Sequence, residues 1–184
     1  MSGVDPNQLM YEGLDTFLSG FARSPLGQPL ALQNAGLSRG LCSTGFRPWD
    51  GEGDFYGGSQ VELCREDGAK FMWKLGVFYE QGSNDGEPWQ HGCAYAYVAI
   101  NLNQDEGRIA VYTIGDVQLP ATPLKLADLP EFSRAIAGLA ENCLEDLEYV
   151  YEAKLFDRLL MLGRQRSMGH DQWETNPLRS EYYA

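Results

Sequence analysis

Glu141, Glu145, Glu148 and Glu152 follow one another at steps of three and four residues. On a helix with 3.6 residues per turn, that spacing predicts one row of carboxylates, with Asp146 beside it. Like charges at such steps repel, costing roughly a few tenths of a kcal/mol per pair. Helix stability alone would favour interleaved lysines. Carboxylates about 5–6 Å apart can stand in for the phosphates of a nucleic acid and face a Lys/Arg-rich surface. The concentrated field would also speed association. The plainer alternative is a solvated helix face.

Two other groupings have types suited to chemistry. Asp50, Glu52 and Asp54 alternate within a glycine-rich run, as the first ligands of a calcium loop do. The likeness stops there, because Phe55 stands where that loop needs glycine and Val61 where it needs a bidentate glutamate. With Glu62 these carboxylates form a weak candidate metal or ligand site of the kind used in metal-assisted hydrolysis. The alternative is an ordinary surface loop with Trp49 and Phe55 folded inward. His91 and Cys93 stand two residues apart, but no orienting acid accompanies them. The chain has no Gly-x-Ser-x-Gly, phosphate loop, His-Glu-x-x-His or dinucleotide fingerprint. Its four cysteines are scattered without zinc-type spacing, so reduced thiols and no cofactor are expected. No catalytic residue is assigned.

These residues must be positioned by a single α+β domain over 1–164, followed by an irregular tail over 165–184. Asp5-Pro6 and the stripe Leu9, Met10, Leu14, Phe17, Leu18 and Phe21 predict an N-terminal helix ending near residues 20–23. The path of residues 24–58 stays open. Residues 60–117 read as an antiparallel meander of about four strands. The first is 60–66, followed by a tight turn at Asp67-Gly68. The second is 69–81, with Phe71, Trp73, Leu75, Val77 and Tyr79 on one face, and 82–88 is a longer loop. The third and fourth are 92–103 and 107–116. In this last hairpin Val98, Ile100, Leu102, Ile109 and Val111 form an aliphatic face. Tyr95, Tyr97 and Tyr112 lie opposite, on a face either covered by a helix or used to contact a partner.

A long helical segment over 128–164, opened by Asp128 as cap and Pro130, packs on one sheet face. Up to Tyr151 its apolar stripe is coherent, then it moves. The segment must therefore break near Ala153-Lys154, or dock its last turns on the N-terminal helix or a second subunit. Leu155, Phe156, Leu159, Leu160 and Leu162 are the candidate homodimer surface.

The chain carries 14 basic and 26 acidic residues, a net charge of −12, and is 43% apolar. Half of that charge falls between Asp128 and Glu152, where seven acids face one base. Such a balance disfavours direct contact with nucleic acid or an anionic membrane. With no spanning segment and no basic-apolar leader at its start, the sequence predicts a cytoplasmic protein. A short acidic chain without a catalytic signature has the composition of toxin-immunity proteins and of phage-encoded blockers of nuclease or CRISPR machinery. The expectation is a non-enzymatic inhibitor of a basic partner protein, mimicking nucleic acid. The alternative is a small metal- or ligand-dependent hydrolase or binding protein built on residues 50–54.

Overall fold

Asp5 starts the first helix as its place before proline predicts: its Oδ1 accepts the Asn7 N–H at 3.0 Å, and Pro6 fills the first turn. The computed structural model describes residues 3, 5–51, 54–102, 107–118 and 125–167. Helix α1 (Pro6–Arg23) buries Met10, Leu14, Phe17 and Phe21, the predicted stripe. A 3₁₀ turn (Pro25–Gly27) and a short helix α2 (Pro29–Asn34) lead to strands β1 (Leu37–Arg39) and β2 (Ser43–Phe46). Four longer strands follow: β3 (Phe55–Arg65), β4 (Lys70–Asn84), β5 (Glu87–Asn101) and β6 (Ile109–Gln118). Helices α3 (Leu129–Glu152) and α4 (Phe156–Ser167) complete the described fold.

The six strands form one antiparallel sheet in the order β1-β3-β4-β5-β6, with β2 pairing β3 on the same edge as β1. Both short strands lie in the stretch whose path stayed open. Strand β3 begins five residues earlier than expected, at Phe55, inside the glycine-rich run. The longer loop expected over 82–88 is absent. Strands β4 and β5 instead stay paired out to Asn84 and Glu87 and turn on Asp85 and Gly86, both at positive φ. Asp-Gly is the residue pair that such a two-residue turn demands. Pro88 is compatible because, one pair beyond the turn, its nitrogen points away from β4.

One sheet face is covered by the helices. Phe71, Trp73, Leu75, Val77 and Tyr79 of β4 all face inward and are at most 2% exposed. They meet Phe55, Val61 and Leu63 from β3 and Ala94, Ala96, Val98 and Ile100 from β5. Helix α1 lies against β2 and β3, α3 spans β4 to β6, and the two helices cross closely. Glycine permits that crossing: a Cβ on Gly20 would stand 2.4 Å from Leu144 Cδ1, and one on Gly13 would stand 3.0 Å from the Ser133 carbonyl oxygen.

The long C-terminal segment breaks where the apolar stripe moves. Lys154 adopts φ +57°, Lys154 N–H donates to Tyr151 O, and Leu155 N–H donates to Val150 O. Those two bonds are the Schellman pattern, with lysine where glycine is usual. Helix α4 then packs on β5 and β6 of the same chain. The residues expected to offer a homodimer surface therefore meet the sheet of their own chain. Leu155, Leu159 and Leu160 are at most 5% exposed within one chain, and Leu162 is half-buried against the core. Phe156 sets its ring edge-on to Phe71 at 4.9 Å and to Trp73 at 6.4 Å. The stripe moves because the helix turns a corner onto the remaining sheet.

Asp128 also departs from expectation. Its carboxylate turns back to accept the Lys125 N–H at 3.0 Å instead of capping α3. Residues 103–106 and 119–124 and most of the tail over 165–184 lie outside the described residues.

Candidate functional site

Helix α3 has two sides of opposite character. Glu141, Glu145 and Glu152 are exposed and Glu148 is half-buried, and they form the predicted row. Among the described residues none of the four has a salt bridge. Asp146 does not belong with them. It is 2% exposed, and its Oδ2 accepts the Trp73 indole N–H at 2.9 Å and the Tyr112 hydroxyl at 2.6 Å. At about 100° per residue, Asp146 lies roughly 140° around the helix from Glu141. It therefore points into the core, where a carboxylate is tolerated because donors satisfy it. Cys143 shares that side, and burial followed by the charge of Asp146 pushes its thiol well up. It is not a thiolate nucleophile.

Tyr112 is likewise absent from the face expected to contact a partner or be covered by a helix. Val98 pairs with Tyr112 but Ala99 pairs with Ala110, so Val111 is an extra residue; Ile114 is a second, between Gly115 and Thr113. A bulge shifts the alternation of everything beyond it. Val111 and Tyr112 therefore both turn inward, at 2% and 0% exposure.

Tyr95 and Tyr97 do stand on the other sheet face, and no described helix covers it. Their rings stack with centroids 6.0 Å apart at 21°. Phe78 adjoins Tyr95 at 6.4 Å, and His91 sets its ring edge-on to Phe78 at 5.0 Å. Burial chiefly, then the neighbouring Tyr97, raises the Tyr95 phenol above its usual range. On the same face Tyr56 donates to Glu80, which pushes the Tyr56 phenol up to about 12. Cys93 is pushed up by burial and then by Asp116, so His91 and Cys93 share a face without forming an activated thiolate. Met72 and Ala99 on this face are buried, which leaves the exposed part running from Lys74 and Tyr97 toward Glu80 and His91.

The carboxylate-rich run is divided. Asp50 is exposed, while Asp54 is half-buried and accepts the Gln81 N–H at 3.2 Å. Glu52 lies outside the described residues. Trp49 and Phe55 fold inward at 6% and 0% exposure, and Asn7 pins Trp49 through paired bonds of 2.7 and 3.2 Å. Glu62 is occupied elsewhere, accepting the Leu41 N–H at 3.2 Å and standing 4.0 Å from Lys70 Nζ. Among the described residues no three of the His, Cys, Asp and Glu side chains converge as metal ligands would. Nor is any described helix long and apolar enough to cross a membrane.

The site residues that sequence reasoning missed are glycines. Gly45, Gly58 and Gly76 lie in register across β2, β3 and β4 on the exposed face. Only the pairing register, unknown from sequence, aligns them. No protein-family model, curated protein or solved structure matches this chain.

Proposed function

We propose that the chain is a non-enzymatic, acidic interaction protein that inhibits or neutralises a basic partner, nucleic-acid-binding or toxin-like, as phage anti-defence (anti-CRISPR-like) or toxin-immunity proteins do. One observation supports the reading: Glu141, Glu145, Glu148 and Glu152 share one helix face with no compensating cation among the described residues. Such a row keeps its mutual repulsion until an external cation relieves it. The opposite side of the same helix is tied to β4 and β6 through Asp146, so the row is held before any partner arrives. A preorganised charge array loses less on binding than a flexible acidic tail. Arginine and lysine side chains of a groove that normally holds phosphates would meet these carboxylates with charge-assisted hydrogen bonds.

The test is charge reversal with a matched control. Glu145→Lys with Glu148→Lys removes half of the row, whereas Glu66→Lys with Glu87→Lys changes net charge equally at exposed positions away from α3. Basic proteins captured from a cell extract at low and high salt would be identified and their affinities measured. The expected result is a loss of at least tenfold in affinity, with a weaker salt dependence, for the row variant alone. Equal losses in both variants would reduce the effect to net charge, and no loss in the row variant would remove α3 from the interface.

A further inference from the structure

Glycine in a strand interior forgoes side-chain packing and often marks a close approach by something else. Two of the three glycines in register meet neighbours of their own. A Cβ on Gly76 would stand 2.4 Å from the ring of Tyr95, whose phenol lies across that residue, and one on Gly58 would stand 3.1 Å from Leu75 O. Gly45 has no such reason, because among the described residues nothing lies within 4 Å of where its Cβ would be, and its backbone needs no left-handed conformation. Above these glycines is a trough of about 330 Å³, bordered by Ser43, Gln60, Lys74, Tyr95 and Tyr97. That volume is at the small end of ligand sites, which run from about 300 to 1,000 Å³.

The charge around the trough is unlike that of the molecule as a whole. Lys74 is half-buried, and among the described residues no carboxylate comes within ion-pair distance of it. Burial first, and then repulsion from Arg108, holds its ammonium below the usual lysine range. With no acid paired to it among the described residues, Lys74 gives this side of a chain of net charge −12 a local positive spot that an anion would relieve. The paired rings of Tyr95 and Tyr97 supply an aromatic wall, and the glycines a floor without side chains.

We infer that the trough over Gly45 and Gly58 is a binding site for a small planar aromatic carboxylate, its ring between the glycine floor and Tyr95–Tyr97 and its carboxylate on Lys74. The inference is independent of the acidic row, which belongs to the helix layer on the opposite side of the sheet.

The experiment is calorimetric titration of the full chain with 4-hydroxybenzoate and indole-3-carboxylate, beside neutral benzamide and non-planar cyclohexanecarboxylate. Lys74→Met removes the charge, and Gly45→Val fills the floor at a position where an added Cβ has no described atom within 4 Å and valine suits a strand. Saturable binding of the aromatic acids is expected, at least tenfold tighter than of either control compound. Both variants should weaken it at least tenfold with unfolding midpoints retained, while Glu145→Lys with Glu148→Lys leaves it unchanged. Failure of the wild-type chain to bind any aromatic carboxylate would overturn the assignment. So would affinity unaltered in both folded variants, or equal affinity for benzamide and the acids.

Discussion

Glu145 and Asp146 are consecutive residues with the same functional group, yet they work on opposite sides of α3. Glu145 stands in water with its row, whereas Asp146 is sealed between Trp73 and Tyr112. The sheet repeats the contrast with tyrosine: Tyr112 is fully buried and bonded to that carboxylate, while Tyr95 is 36% exposed on the other face. Residue type does not decide the role. The phase of the helix and the register of the strand do.

The contrast breaks most sharply at Asp146. Asp146→Ala leaves the Trp73 N–H and the Tyr112 hydroxyl buried without this acceptor, and should cost about 2–6 kcal/mol in urea unfolding, given about 1–3 kcal/mol per stranded group. Tyr112→Phe removes one bond to a buried carboxylate and should cost less, about 1–3 kcal/mol. Glu145→Ala should shift the same curve by no more than about 0.5 kcal/mol, as surface changes do.

A smaller effect is expected where the two characters of the C-terminal segment meet. Lys154 is exposed at φ +57°, a conformation that is disfavoured for residues with a Cβ. Lys154→Gly should raise stability by about 0.5–1 kcal/mol, since glycine relieves that strain but widens the unfolded ensemble. If the midpoint fell, the corner between α3 and α4 would owe its shape to the lysine side chain and not to the cap.

The smallest effect concerns the ion pairs that tie the corner helix to the sheet. Arg65 bridges Asp67 at 2.6 Å and Asp157 at 2.7 Å, and its guanidinium, followed by the Ala69 N–H, holds the Asp67 carboxyl down to about 2. A carboxyl depressed by folding stabilises at pH above its unfolded value, near 3.9, and loses that contribution as pH falls toward 2. Between about pH 4 and pH 2 the wild-type chain should therefore lose slightly more stability than Asp67→Asn. Solvent screening keeps the difference small, because the Asp67 side chain is 52% exposed.

The inward face of β4 and the stripes of α1 and α3 followed from strict periods of two and about 3.6, and the break at Ala153-Lys154 from the moving stripe. The position of Asp146 was legible too, since five steps of about 100° carry it away from the row. The Asp85-Gly86 turn was equally available from its residue pair. Tyr112 was not, because a bulge changes the alternation without leaving a mark in the local sequence. Strands β1 and β2 are three and four residues long and lie on an edge, too short for any period to register. The glycine trough depends on register across three strands, which single-chain patterning does not contain.

The outer side of α3 is proposed to bind while its inner side holds the fold. The most direct test carries Glu145→Lys and Asp146→Asn, at adjacent positions, through both urea unfolding and salt-dependent capture of the basic partner. A crossed result is expected. Glu145→Lys keeps its unfolding midpoint and loses affinity, while Asp146→Asn loses about 1–3 kcal/mol of stability but, where still folded, keeps its affinity. Affinity that survives Glu145→Lys, or that falls with Asp146→Asn in the folded protein, would contradict it.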